Sequence, residues 1–214
     1  QGAKMFYTIP NFGNPSGVTM SLKKRKAVYE LAVKYGVPIL EDDPYGELRY
    51  RNGRISHIKE FDTEGAVLYI CSMSKIIAPA MRVGFLVANK EFIQKVIPIK
   101  AVSTNGVSNI IQYVLWKMFE ENDMYEQIRK VCDIYGKKLF LMEECMGKYF
   151  PKSVKHSSPD GGMFIWATLP KGVDVQKFCE KSAIELHIPI TPGGGFCAIG
   201  TEQCTSMRFN FVKE

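Results

Sequence analysis

The chain has 214 residues, 46% of them hydrophobic and 23% charged, and 28 Lys and Arg against 22 Asp and Glu give it a formal net charge of +6. That length suits one large domain or two small ones with room for a sizeable core, and so modest a charge argues against nucleic-acid binding through this region. Six cysteines without a CxxC pair and three histidines without an HExxH spacing argue against a zinc site.

Scattered single cysteines fit a reducing, cytoplasmic setting better than a disulfide framework. No apolar run approaches the roughly 18 residues a membrane helix needs, and no stretch reads as a secretory leader. In chain order, Met5–Ile9 reads as a strand. Ser21 can then cap a helix to about Tyr35, with Ala27, Val28, Leu31, Ala32 and Tyr35 at helical spacing and Gly36 as its stop. The basic run Lys23-Lys24-Arg25-Lys26 reads as the solvated face of that helix. Val37–Leu40, Ala66–Cys71 and Val83–Ala88 are short apolar runs with the character of buried strands. The alternation of strand and helix argues for an α/β fold with a mostly parallel sheet covered by helices on both faces, a three-layer sandwich.

From Lys90 to about Lys148 the periodicity turns helical, with interruptions expected at Pro98, Ser103–Gly106 and Glu121-Asn122-Asp123. After Pro151 a smaller α+β pattern follows: Gly162–Leu169 as a strand, Val173–Leu186 as a helix, Ile188–Thr191 and Ser206–Phe211 as strands. The expected division is a larger domain over 1–146, with the linking helices, and a small one over 147–214. Both ends read as cut, since the chain opens on Gln1 just before one strand and stops at Glu214 just after another. We expect a fragment of a longer protein.

In open α/β sheets ligands bind beyond the carboxyl ends of the strands. Three such ends carry polar clusters: Pro10-Asn11-Phe12-Gly13-Asn14-Pro15-Ser16-Gly17, Glu41-Asp42-Asp43-Pro44-Tyr45 and Ser72-Met73-Ser74-Lys75, with Arg82 seven residues after the lysine. Their coincidence points to one shared pocket. An amine, a carboxylate, a phenol, an amide, hydroxyls and a guanidinium together suit pyridoxal phosphate. Its aldehyde takes an amine, its ring nitrogen a carboxylate, its 3-oxygen donors, and its phosphate hydroxyls and a forked cation.

The stretches PNFGNPSG, EDDPYGELRY, SMSKIIAPAMRVGF and SMRFNF resemble, in order and separation, the class I and II aminotransferases of fold type I. The likeness is greatest to the branch with 2-aminoadipate and kynurenine aminotransferases. The resemblance implies Lys75 as the Schiff-base lysine and proton shuttle and Asp42 as the partner of the pyridinium nitrogen. It implies Tyr45 and Asn14 as donors to the 3-oxygen, with Asn14 also on the substrate side. Ser72, Ser74 and Arg82 would hold the phosphate, and Arg208 the substrate α-carboxylate. Gly13 departs from the pattern, because relatives often carry glutamine there. Amino acid and 2-oxo acid substrates and a homodimer of the full-length protein follow from the same resemblance. The competing readings are the effector domain of a transcription regulator and a lyase or decarboxylase on the same scaffold. The glycine run Gly193-Gly194-Gly195 reads as a loop on the substrate side, and Phe164 and Trp166 as core.

Overall fold

A computed structural model describes residues 2–198 and 204–212 of the chain. It falls into two compact units. The first comprises the chain up to Asn11, Met20–Glu47 and Gly53–Val131; the second comprises Phe12–Thr19, Leu48–Asn52 and the chain from Cys132 on. The division thus falls fifteen residues earlier than the sequence pattern indicates, and the second unit also takes in two short segments from far upstream.

The first unit is built on a four-stranded mixed sheet in the order β1 (Phe6–Thr8), β2 (Ile39–Asp42), β3 (Val67–Ser72), β4 (Gly84–Val87). The first three strands run parallel, with Tyr7 opposite Leu40 and Asp42 opposite Ile70. β4 is antiparallel to β3. Only residues 73–83 join these two strands, fewer than the dozen or so a parallel crossover needs.

Helix α1 (Leu22–Tyr35) connects β1 to β2. Ser21 caps it by accepting from the Lys24 amide, and Gly36 ends it in the left-handed region at φ 61°. Its inner face is Arg25, Val28, Tyr29 and Ala32 at i, i+3, i+4 and i+7, and this corrects the reading of a wholly solvated basic run. Leu31 and Tyr35, expected on the core side, are exposed. Ala32 packs with Ile39, Ile58 and Val67, and full burial of each such aliphatic chain contributes about 1.5–3 kcal/mol. A 3₁₀ turn at Ile58–Phe61 completes that core.

Helices α2 (Lys90–Thr104), α3 (Asn109–Glu121) and α4 (Met124–Tyr149) follow. Pro98 lies inside α2 and does not interrupt it, so the helix forgoes the one bond to the Gln94 carbonyl. Asn89 caps α2 by accepting from the Phe92 amide at 2.8 Å.

The second unit holds a four-stranded antiparallel sheet in the order β5 (Lys155–His156), β6 (Phe164–Thr168), β8 (Ser206–Asn210), β7 (Thr191–Pro192). Period-two alternation sorts its faces. Ile165, Ala167 and Met207 meet Leu139 and Met146 of α4 and Val175 and Cys179 of α5 (Val175–Glu185). Trp166 and Arg208, paired across β6 and β8, take the opposite face. Ile188–Ile190 is not strand, and Gly193–Phe196 forms a single 3₁₀ turn.

The two upstream segments join this unit for local reasons. The Gly162 amide donates to the Leu48 carbonyl at 2.7 Å, and the Tyr50 amide to Asp160 at 2.8 Å. A Cβ on Gly161 would lie 2.1 Å from the Leu48 oxygen and 2.6 Å from the Phe12 ring. Only glycine fits there. Among the described residues, no helix is long and apolar enough to cross a membrane.

Candidate active site

The acidic run at the end of β2 separates by the alternation of the strand. Ile39 and Glu41 face α1 and are buried, while Leu40 and Asp42 take the other face. Glu41 accepts from the amides of Ile58 and Lys59 at 2.9 and 2.8 Å, so it caps the 3₁₀ turn. Burial nonetheless raises its carboxyl above the usual range.

Asp43 just beyond is also buried and forms the centre of a polar network. It accepts from Asn11 Nδ2 at 2.9 Å and from Tyr69 Oη at 3.1 Å, and His57 Nδ1 lies 3.4 Å away. Gly46 makes room for that carboxylate, because a Cβ there would sit 2.3 Å from Asp43 Oδ2. Arg25, 0% exposed, anchors the same network. Its guanidinium donates to Asn11 Oδ1 at 2.7 Å and to the carbonyls of Pro10, Met20 and Ser56 at 3.0, 2.9 and 3.1 Å. Sequence reasoning missed Arg25 and Asn11; the helical spacing of Arg25 with Val28, Tyr29 and Ala32 carried the signal.

Asp42 is the acid left on the open face, half-buried. Tyr7 Oη donates to its Oδ2 at 2.6 Å. Burial raises the Asp42 carboxyl; the Tyr7 hydrogen bond opposes that, and the neighbouring Asp43 charge adds to it. Tyr45, three residues on, is buried and lies near enough to contribute to the raised pKa of Tyr7, whose main cause is desolvation followed by Asp42.

At the next strand end, Ser72 closes β3 opposite Gly84 and its Oγ accepts from the Ser74 amide at 3.2 Å. The chain then turns, with the Ile77 amide donating to Met73 at 2.9 Å, and Lys75 sits half-buried in that turn. It returns through a 3₁₀ turn at Pro79–Met81, and the Met73 amide donates to Val83 at 3.0 Å. Arg82 at φ 53° occupies the left-handed hinge immediately before that closure. The connection therefore opens on Ser72 and closes on Arg82 at the same end of β3, two residues beyond Ile70, the partner of Asp42. Among the described residues no carboxylate pairs with Lys75 or Arg82.

Asn14 and Arg208 belong to the second unit, and the structure brings them together. Arg208 Nη1 donates to Asn14 Oδ1 at 2.6 Å, and Nη2 to Thr191 Oγ1 at 3.4 Å. The guanidinium lies 4.3 Å from the Phe164 ring centre and 5.1 Å from that of Phe196. Phe164 is thus both core and the platform for Arg208. The segment around Asn14 is set by Gly17 at φ 69°, where a Cβ would come 2.6 Å from the Phe164 carbonyl oxygen.

The chain was compared with known proteins. It is 40% identical over 98% of its length to an aromatic-amino-acid aminotransferase from Thermococcus litoralis, half of whose length the match covers. A kynurenine aminotransferase from Pyrococcus horikoshii, solved in complex with PMP, with KYN as substrates and KYA as products, superimposes with a TM-score of 0.93 at 38% identity. That match covers 98% of this chain and 52% of the solved one. An α-aminoadipate aminotransferase from Thermus thermophilus, complexed with N-(5'-phosphopyridoxyl)-L-leucine, superimposes with a TM-score of 0.90 at 30% identity, covering 97% and 53%. The chain spans about half the length of the curated relatives it matches. The family described as aminotransferase class I and II matches residues 3–213, and the chain belongs to that family.

Proposed function

We propose that the chain is the carboxyl-terminal part of a pyridoxal-phosphate-dependent aminotransferase that moves an amino group between an amino acid and a 2-oxo acid. One observation carries the reading. At one end of β3, a hydroxyl-bearing turn presents Lys75 and Arg82, two cations without a carboxylate partner among the described residues, next to the strand whose end holds Asp42. Such a donor set fits a dianionic phosphate beside a basic ring nitrogen.

When bound, pyridoxal phosphate supplies an aldehyde that takes up the amino group and a cationic ring that draws electrons from the substrate Cα. The roles proposed for the chain's own residues are those the family resemblance implies. The Asp42 carboxylate would hold the ring nitrogen protonated by charge, and the Tyr45 hydroxyl and the Asn14 amide would donate to the 3-oxygen. The hydroxyls of Ser72 and Ser74 and the guanidinium of Arg82 hold the phosphate. Lys75 Nζ would hold the cofactor at rest and, once displaced by the substrate amine, would carry the proton from the amino acid Cα to the cofactor's former aldehyde carbon. The Arg208 guanidinium, oriented by Asn14 and Thr191, binds the α-carboxylate.

In this reading the sheet of the first unit belongs to a three-layer large domain and the second unit to a small carboxyl-terminal domain. The complete protein is a cytoplasmic homodimer, and the 214-residue chain alone transaminates little. The test supplies the full-length protein with cofactor, 2-oxoglutarate and an aromatic amino acid or 2-aminoadipate. Stoichiometric glutamate and the matching 2-oxo acid are expected, and both vanish in Lys75→Ala. Release of an amine or carbon dioxide would mark a lyase or decarboxylase. Binding without turnover would mark the effector domain of a regulator.

A further inference from the structure

We infer that Tyr7 is a positioning residue for this reaction: its phenol fixes the Asp42 carboxylate through Oδ2 and leaves Oδ1 available to a ligand N–H. The inference rests on the function proposed above. Parallel register places Tyr7 beside Leu40, and Leu40 and Asp42 share one face of β2, so the phenol reaches diagonally along that face to the last residue of the strand. The contact is short, 2.6 Å, as expected for a hydroxyl donating to an ionised acid. Asp42 Oδ1 accepts from no group among the described residues. One oxygen is thus committed and the other is not. Without that donor the carboxylate would rotate freely about its terminal torsion, which is broad for aspartate.

Charge works in the same direction. Desolvation and the neighbouring Asp43 both push Asp42 toward its neutral form, in which it could not stabilise a protonated ring nitrogen. Against these two, the Tyr7 hydrogen bond favours the anion. The other acids near this strand end, Glu41 and Asp43, are engaged on the opposite face by the 3₁₀ turn and by Asn11 and Tyr69, so neither can substitute. Within this chain Tyr7 belongs to none of the buried clusters.

The test is a ¹³C titration of aspartate-labelled, cofactor-free full-length protein, with the Asp42 resonance assigned by its loss in Asp42→Asn. Tyr7→Phe keeps the ring and removes the donor. It is expected to raise the Asp42 midpoint by about one pH unit. The reciprocal measurement covers the case where the Phe variant does not fold: in Asp42→Asn the raised Tyr7 phenol titration should fall back toward its ordinary value of 10.0. In the loaded enzyme Tyr7→Phe should lower kcat roughly tenfold with KM changed less than about twofold. An unmoved Asp42 midpoint, an unmoved Tyr7 titration, or an unchanged kcat overturns the inference. The two titrations run without cofactor, so their failure is separate from any failure of the functional reading, which is decided by Lys75→Ala.

Discussion

Replacing Arg25 with Met tests how the candidate site is supported from below. The side chain is 0% exposed and gives hydrogen bonds to three backbone carbonyls and to Asn11 Oδ1, which in turn orders Asn11 against Asp43. Methionine fills much of the volume but donates nothing. Four acceptors lose their donor, and removing one member of a buried charged network costs about 3–5 kcal/mol. The middle of that range, about 4 kcal/mol, is a large share of the 5–15 kcal/mol that holds a typical domain folded. At a urea slope of about 2 kcal/mol per molar, the midpoint should fall by about 2 M. Arg25→Lys keeps the charge but offers a compact ammonium in place of a planar fork, so about half of the loss is expected to remain. Urea unfolding of both variants, followed by far-UV circular dichroism, checks this. A loss below about 1 kcal/mol for Arg25→Met would refute the assignment of Arg25 as the anchor of this network.

Other consequences follow from single positions. Gly161→Ala drives a Cβ to within 2.1 Å of the Leu48 carbonyl oxygen and should lower stability by about 2–3 kcal/mol, visible as a lower thermal midpoint. Asp62 accepts from Lys59 Nζ and from the amides of Ala66 and Val67. Burial would raise its carboxyl, but those bonds outweigh burial and hold it below its ordinary value of 3.8. Its folded pKa lies below its unfolded one, so its contribution is present above pH 3.8 and is lost as pH falls through the folded value. The stability gap between the protein and Asp62→Asn should therefore be constant near neutrality and close on acidification. Arg208→Lys gives up the forked contacts to Asn14 and Thr191, so KM for the amino acid should rise about tenfold with a smaller change in kcat.

Much of this architecture was legible from local chemistry. The Ser21 cap and the Gly36 stop bound α1 because orphan amides and a left-handed residue leave unambiguous marks in sequence. β2 and β3 were legible as short apolar runs. The direction of β4 was not, because apolarity is blind to orientation; only the shortness of the 73–83 connection bears on it. β5, two exposed residues long, has no hydrophobic pattern to betray it.

The acidic run shows the same limit at the site. Sequence spacing to Tyr45 singled out Asp42, and strand alternation explains why the three adjacent acids differ: Glu41 and Asp43 turn inward to hydrogen-bond partners and Asp42 turns out. Tyr7 and Arg25 escaped because each acts through a partner distant in sequence, 35 residues away for Tyr7 and Asp42. A tyrosine in a strand and an arginine in a basic run look ordinary until the register and the helix face are known.

The central claim is that Lys75 is the amine to which the cofactor attaches. Incubating the full-length protein with pyridoxal phosphate, reducing with borohydride and mapping the digest by mass spectrometry tests it directly. The account predicts one phosphopyridoxyl group, on the peptide that contains Lys75. A label on another lysine, with Lys75 unmodified, would contradict it.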